Sequence, residues 1–375
     1  MKYKKFTILF FVLCIIYASI IAARLWYIDP LHLFHKPYVC KYSLFKNQRF
    51  SNSLIIREYD FDGIIIGTSM LENTSANEAS DILGGKFMNL AMSGSTFSER
   101  KIVLDHAFRR KKINQVVYSL DPLTILAAAR QIPDYYDPDL FSFLYDENKF
   151  NDVKAYLNAA FMKRIFKYKC NKNSIDRPNA WMTPKDQTMY GFEAWANRQA
   201  NLKEDITEIL DAVDDIKNNH TQKPTDLTKE IDIARKYIDD NVLIFVKQHP
   251  ETEFHMFIPP YARMYNAIKV QARYNDFIIA KESLRYLVSQ TPKYKNLKIY
   301  GWGDTNYPDD TNNYKDLKHY HHDFNTLMLY YIAQNNGRLT PDNFDAYYDE
   351  FEKKSKAFDL MPFYQRLKIK CFQAA

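Results

Sequence analysis

Hydrophobic and polar positions along the chain follow two recurring patterns, short apolar runs and longer amphipathic stretches. The clearest apolar run, at residues 63–66, reads GIII and leads directly into Gly67, Thr68 and Ser69. An apolar run of this length bounded by glycine is typical of a buried strand. The following SANEASDIL predicts a helix that begins at a Ser or Asn cap.

The alternation of strand and helix continues along the chain. KFMNLAMSGS predicts a second strand that ends at Gly94, and INQVVYSLDP a third that ends at Pro122. Between them, SERKIVLDHAFRRK predicts an amphipathic helix capped by Ser98, and EFHMFIPP and LKIYGWG predict two more strands. Strands that alternate with helices predict an α/β fold. We expect a flavodoxin-like, three-layer parallel sheet of five strands with helices on both faces.

The pattern also divides the chain into segments. Residues 123–239 contain no clear buried strand, and we expect them to form a helical insertion that caps one end of the sheet. The other predicted segments are an anchor at 1–27, a linker at 28–60, the α/β core at 61–122 and 240–335, and a polar helical tail at 336–375.

The N-terminal apolar run has the length of a membrane helix. No charged residue occurs from Phe6 to Ala23, and about 18 such residues suffice to cross a bilayer. Three lysines precede the run, so the positive-inside rule places the N-terminus in the cytoplasm and the following domain in a periplasm or on a cell surface. We predict an uncleaved, single-pass anchor in the cytoplasmic membrane. A cleavable signal peptide stays the alternative, because Ala18, Ala22 and Ala23 offer small residues.

Composition and cysteine spacing exclude some classes of protein. Hydrophobic residues make up 46% and charged residues 26% of the chain, which favours a packed core over disorder. The net charge of +6 is spread along the chain, so we expect no nucleic-acid partner. Cys14 lies in the anchor, and the other cysteines show no CxxC pair, which argues against a zinc site. A disulfide from Cys40 to either Cys170 or Cys371 stays open outside the cytoplasm.

The segment after the fifth strand carries the candidate chemistry, Asp316-Leu317-Lys318-His319. In a DxxH spacing the carboxylate reaches one imidazole nitrogen while the other faces the end of the sheet. A serine hydroxyl is a weak nucleophile until a base accepts its proton, and Ser69 stands where parallel sheets place their sites. We predict that Ser69 is a nucleophile, His319 its base and Asp316 the partner of His319. The alternatives are a helix cap or a phosphate-type anion site for Ser69 and a surface turn for the DxxH segment.

The order of these motifs resembles the SGNH (GDSL-like) hydrolase superfamily, over roughly residues 60–335. The matching features are Gly-Thr-Ser after the first strand, Gly94 after the second and DxxH near the C-terminus. The resemblance implies that the backbone N–H groups of Ser69 and Gly94 bind an oxyanion. In this superfamily the third strand usually ends at an Asn that completes the oxyanion hole, whereas here it ends at Asp121, and an ionised Asp would repel an oxyanion. Asp121 and Thr68, which replaces the usual Asp of GDS, are assigned to the oxyanion or substrate region.

The anchor and the aspartate at the third strand are similar to those of membrane-anchored members that modify cell-envelope polymers, such as D-alanine transfer and alginate O-acetylation proteins. This similarity implies a serine-dependent O-acyl esterase or acyltransferase that acts on an envelope polysaccharide through an acyl-serine. Its expected partners are a glycan or acyl donor, the inner membrane and a membrane-bound acyltransferase. We expect no cofactor and no metal, although His321 and His322 lie near the DxxH segment. The alternative is a catalytically inactive protein that binds polymer or partners in an envelope assembly complex.

Overall fold

The chain folds into two compact units in a computed structural model. The described residues are 2–29, 33–35, 48–133, 136–148, 150–157, 190–192, 203–223 and 225–374. Cys40 and Cys170 and the side chain of Cys371 lie outside the described residues, and with them the predicted disulfides. The first unit comprises Met1–Asp60, Ile102–Lys111 and Tyr136–Ala180; the second comprises Phe61–Lys101, Lys112–Tyr135 and Trp181–Ala375.

The first unit begins with the long apolar helix α1, Lys2–Ile28. Among the described residues, α1 alone is long and apolar enough to cross a membrane, with a mean hydropathy of 2.7 over its most apolar window. At about 1.5 Å per residue, its length exceeds the ~30 Å hydrocarbon core of a bilayer. Residues 28–60, predicted as a linker, contain helix α2, Gln48–Glu58. Residues 51–56 of α2 are buried.

Buried polar contacts fix the segment that follows α1. The Asp29 carboxylate accepts hydrogen bonds from the backbone N–H groups of Leu33, Phe34 and His35, and it also accepts one from the hydroxyl of Tyr156. Tyr156 ends a short 3-10 turn, Asp152–Tyr156. These bonds hold the residues just after the apolar helix against this turn within the first unit.

The second unit is built on a six-stranded sheet in the order β2-β1-β3-β4-β5-β6. The first five strands are parallel, and the short β6 pairs antiparallel with β5. The α/β class and a largely parallel sheet are therefore confirmed, whereas a purely parallel sheet of five strands was wrong. The strands are β1 Gly63–Ile66, β2 Phe87–Asn89, β3 Gln115–Ser119, β4 Glu253–Ile258, β5 Leu297–Gly301 and β6 Arg338–Leu339.

Helices connect the strands. In the described segments they are α3 Ala76–Leu83, α4 Phe97–Arg110, α5 Pro122–Ala129, α6 Lys203–Lys217, α7 Thr228–Ile238, α8 Ile244–Gln248, α9 Arg263–Gln271, α10 Tyr274–Ser289, α11 Asp323–Ala333, α12 Phe344–Ala357 and α13 Met361–Ala374. A π-helical turn, Asp239–Leu243, joins α7 to α8.

Two local predictions need correction. The second strand ends at Asn89 rather than Gly94. The side-chain amide of Asn89 donates to the carbonyls of Leu71 and Thr74, in the segment before α3. Helix α4 is not capped by Ser98, which lies inside it. Thr96 occupies the cap instead: its hydroxyl accepts from the N–H of Glu99, and Glu99 accepts from the N–H of Thr96. This reciprocal pair is a capping box.

Strand β1 lies in the interior of the sheet. Ile64, Ile65 and Ile66 are fully buried. Since successive side chains of a strand point to opposite faces, both faces of β1 are covered. The run of isoleucines is therefore a rigid core strand, and it delivers the next three residues to the carboxyl edge of the sheet.

Candidate active site

The turn after β1 requires a glycine. A Cβ atom on Gly67 would lie 2.3 Å from the Oγ atom of Ser119 and 2.8 Å from a methyl carbon of Leu71. β1 and β3 are paired so that Ile66 lies opposite Tyr118, which brings Gly67 and Ser119 together at the ends of the two strands. The close packing of these two strand ends sets the position of Thr68 and Ser69.

Ser69, His319 and Asp316 form a continuous hydrogen-bonded chain. The Ser69 Oγ atom lies 2.7 Å from His319 Nε2, and His319 Nδ1 lies 2.9 and 2.8 Å from the two carboxylate oxygens of Asp316. A carboxylate only accepts hydrogen bonds, so Nδ1 carries the proton and Nε2 is free to accept the serine proton. This is the geometry of an activated serine.

Local bonds keep the Asp316 carboxylate ionised and in place. Its Oδ1 atom also accepts from the backbone N–H groups of Lys318 and His319, at 2.9 and 2.7 Å. Burial alone would raise the pKa of Asp316, but attraction to His319 and the hydrogen bonds from His319 and Lys318 outweigh it and hold the pKa well below its usual range. The carboxylate can therefore stabilise a protonated His319 near neutral pH.

Two contacts fix the DxxH loop on either side of the histidine. The Tyr314 hydroxyl donates to the carbonyl of Pro260 at 2.6 Å, and the Lys318 ammonium donates to Asp205 on α6 at 3.1 Å. The loop is thus held both to the residues after β4 and to a helix of the second unit. This explains how two segments 250 positions apart in sequence, Ser69 and His319, meet within hydrogen-bonding distance.

Backbone N–H groups beside Ser69 are available to a ligand. Within the described residues, neither the Ser69 N–H nor the Gly94 N–H donates to another group. Both residues line a cavity of about 300 Å³. Gly94 has a φ of +61° and would meet no atom within 4 Å if it carried a Cβ, so its backbone conformation rather than crowding favours glycine.

Asp121 and Thr68 line the same cavity, but their side chains are engaged with each other. The Thr68 hydroxyl donates to Asp121 Oδ1 at 2.8 Å, and the Tyr261 hydroxyl donates to the same oxygen at 3.3 Å. Asp121 Oδ2 accepts from Ser119 Oγ at 2.7 Å and from Arg100 at 2.8 Å. With four donors, the Asp121 carboxylate acts as an acceptor that links the strand ends.

Arg100 is a buried residue that connects several segments of this site, and the sequence alone did not identify it. Its guanidinium is fully buried and donates to Asp121 Oδ2, to the side chain and carbonyl of Ser95, and to the carbonyl of Ser119. Ser95 in turn donates to the carbonyl of Gly67 at 3.0 Å. Arg100 therefore ties the ends of β1 and β3 to the start of α4. An arginine within the buried stripe of α4, between Phe97 and Val103, was the signal that could have revealed it.

Three possible metal ligands lie close to the DxxH loop. His321, His322 and Asp323 each offer one ligand atom, and these atoms lie within 4.8 Å of one another. They already contact each other, since His322 Nε2 lies 2.6 Å and His321 Nδ1 lies 3.4 Å from Asp323 oxygens. Four ligands are usual for a structural zinc ion and three plus water for a catalytic one. The expectation of no metal at this position stays a prediction.

Two comparisons with known proteins found no match. No protein-family model matches the chain, and no curated protein matches it at a significant level. The interpretation of the site therefore depends on its own residues.

Proposed function

We propose that this protein is a membrane-anchored, serine-dependent O-acyl esterase or acyltransferase of the SGNH type, and that it acts on a cell-envelope polysaccharide or a related polymer. The observation that carries the proposal is the chain of contacts from Ser69 Oγ through His319 to Asp316. The order of the parallel strands, 2-1-3-4-5, is that of flavodoxin-like sheets and supports the proposed fold family.

The proposed reaction follows from the positions of these atoms. Ser69 Oγ attacks the carbonyl carbon of an ester while its proton passes to His319 Nε2. The tetrahedral oxyanion accepts hydrogen bonds from the N–H groups of Ser69 and Gly94, and it collapses when the bond to the alcohol oxygen breaks and His319 returns the proton to that oxygen. Water or an acceptor hydroxyl then attacks the acyl-serine by the same route, which gives hydrolysis or transfer.

The aspartate at the end of β3 is compatible with this mechanism. An isolated negative charge there would disfavour an oxyanion, but Asp121 is paired with the buried guanidinium of Arg100 at 2.8 Å. Its oxygens also accept hydrogen bonds from Thr68 and Ser119. Asp121 then orients the turn that carries Ser69 and does not donate to the oxyanion, which leaves two backbone donors in place of the three expected for the family.

The proposed location rests on α1 and its flanking charges. Lysines precede the apolar helix, so the positive-inside rule puts the second unit outside the cytoplasm. An envelope polymer would be accessible there. Protease protection of the full chain in spheroplasts tests this topology: degradation of the second unit by an external protease is expected, and full protection would contradict it.

A binding role is the second candidate, and the replacement of the family's Asn by Asp121 favours it. One experiment separates the two. The full chain, in detergent, is treated with a fluorophosphonate probe, and the modified residue is identified by mass spectrometry. A covalent adduct on Ser69 that is lost in Ser69→Ala and His319→Ala supports the enzyme, because only an activated serine reacts.

The matched control is Ser289→Ala, which alters an exposed serine of α10 whose hydroxyl bonds the carbonyl of Tyr286. This variant should label as the wild type does. A folded wild-type protein that forms no adduct would contradict the enzymatic proposal and favour polymer binding in the same cavity.

A further inference from the structure

One wall of the cavity beside Ser69 is aliphatic. Leu123, Ala127, Ile132 and Pro133 all line it. They come from a single segment, helix α5 and the turn that follows it, which begins immediately after Asp121. The same segment contributes one polar residue, Thr124, which is buried. The polar lining around Ser69 and His319 comes from other segments of the second unit.

The wall is a regular feature of α5. Leu123 and Ala127 are four positions apart, so they lie one above the other on the same face of the helix. The opposite face is packed into the unit, where Ile125 and Ala129 are buried. Leu123, in contrast, is 37% exposed although it is a large aliphatic residue.

A backbone motif holds Ile132 beside this face. The N–H of Ile132 donates to the carbonyl of Ala127 at 2.9 Å, and the N–H of Gln131 donates to that of Ala128 at 3.0 Å. Gln131 has a φ of +55°. These bonds and the left-handed residue define a Schellman motif, which places the second residue after the C-cap Arg130 next to the last turn of the helix. Ile132 is thus held at the cavity with 58% of its surface exposed.

We propose that this wall binds the hydrocarbon chain of the acyl group, and that the preferred esters carry aliphatic acyl chains of about four to eight carbons rather than acetyl groups. This inference rests on the proposed function. Exposed aliphatic residues that line a cavity are typical of binding sites for apolar groups. Tyr261 and Thr124, which also line the cavity on this side, are only 4% and 8% exposed, so the open surface of the wall is aliphatic.

The size of the cavity agrees with this chain length. At roughly 30 Å³ per small non-hydrogen atom, the share of a water molecule in the liquid, a cavity of about 300 Å³ holds on the order of ten such atoms. An acetyl group, with three non-hydrogen atoms, would leave most of the wall in contact with water. A longer chain would cover Leu123, Ala127 and Ile132.

The test is a chain-length series of p-nitrophenyl esters, from acetate through butyrate and hexanoate to octanoate, with the full chain in detergent. If each methylene packs on the wall, kcat/KM rises about four-fold per methylene until the wall is covered. Three variants alter the wall: Leu123→Ser and Ile132→Ser make exposed positions polar, and Ala127→Leu fills the space. We expect each to lower the ratio of hexanoate to acetate kcat/KM by roughly ten-fold.

Leu327→Ser is the matched control, because Leu327 lies on α11, is likewise 37% exposed and does not line the cavity. It should keep the wild-type ratio. An acetate preference in the wild type, or a ratio that is the same in all wall variants, overturns the inference. If Ser69 still reacts with the fluorophosphonate in that case, the proposed function stands and only the acyl preference is wrong. If a folded protein neither reacts nor turns over any ester, both fall together.

Discussion

Arg100 Nη2 lies 2.8 Å from Asp121 Oδ2, and both side chains are buried. This ion pair connects helix α4 to the residue that follows β3. Because Asp121 also accepts from Thr68, a single hydrogen bond connects the pair to the turn that carries Ser69, the proposed nucleophile. Asp121, which departs from the SGNH pattern that the sequence resembles, takes part in a buried ion pair and accepts a hydrogen bond from the turn that carries Ser69.

Replacement of Arg100 by Met should strongly destabilise the protein. The substitution leaves Asp121 buried without its positive partner, and breaking a buried pair in this way costs about 3–5 kcal/mol. The free energy of unfolding, measured by denaturant titration, tests this. Lys236→Met removes an ion pair to Asp240 that is exposed and should leave the free energy of unfolding unchanged. An equal effect of the two substitutions would show that the buried pair has no special role.

Gly67→Ala should displace the serine turn. The new Cβ atom would lie 2.3 Å from Ser119 Oγ, so one of the two strand ends must shift. We expect the rate of fluorophosphonate labelling at Ser69 to fall at least ten-fold, since a displacement of about 1 Å can cost 100-fold.

A second substitution tests whether the collision with Ser119 is the cause. Gly67→Ala combined with Ser119→Ala removes the nearest atom and should recover part of the labelling rate. Gly84→Ala is the control, because Gly84 also has a positive φ and open space around it but does not line the cavity, and its substitution should leave the labelling rate unchanged. Unchanged labelling in the Gly67→Ala single variant would show that the strand ends tolerate the extra atom.

Asp316→Asn should reduce the reactivity of Ser69 without unfolding the loop. The amide keeps the size of the carboxylate but loses the charge that supports a protonated His319, and such replacements in serine triads lower kcat by about 10⁴-fold. The measurement is labelling rate or ester turnover at neutral pH. Activity within a few-fold of wild type would mean that Asp316 does not take part.

The pH dependence of stability gives a separate test of Asp316. Its pKa is lower in the folded chain than in the unfolded chain, where an Asp titrates near pH ~4. The stabilisation is therefore fully present above about pH 4 and is lost as the pH falls below that value. Wild type should lose stability below about pH 4 more steeply than Asp316→Asn. Parallel curves would contradict the lowered pKa.

His106, in the first unit, should make stability fall on mild acidification. It is buried, and its Nδ1–H donates to the carbonyl of Tyr145 at 2.8 Å. Burial, together with the nearby Arg110, lowers the pKa of His106 to about 4. Since an unfolded histidine titrates near pH ~6.5, its contribution is complete above that value and is lost as the pH falls from about 6.5 towards 4.

His106→Gln should therefore flatten the dependence of unfolding free energy on pH between about 6.5 and 5, by up to about 1.4 kcal/mol per pH unit. Thermal or denaturant unfolding at several pH values measures the slope. His255 provides a comparison in the second unit, because burial, with the charge of Lys298 nearby, also lowers its pKa to about 4. A variant with the wild-type slope would show that folding does not lower the pKa of His106.

Local patterns in the sequence were sufficient for the α/β class, for the helix capped by Ser75 and for the strand that leads into Ser69. Strand and turn preferences depend on a few neighbouring residues, so three isoleucines followed by a glycine are enough to predict a buried strand. The pairing of Ser69 with an Asp-x-x-His segment was also accessible, because parallel strands bring their carboxyl ends to one edge.

Only the tertiary structure revealed the partners of the buried charges and the aliphatic wall. The contact of Arg100 with Asp121 depends on the rotation of α4 about its axis, and the approach of Ser119 to Gly67 depends on the register of β1 and β3. Strand β6 has only two residues, which are too few for an alternating pattern of apolar and polar residues to be recognised in the sequence. Each of these features joins segments that are distant in sequence. Local propensity does not specify their mutual register, which is decided by how the elements pack.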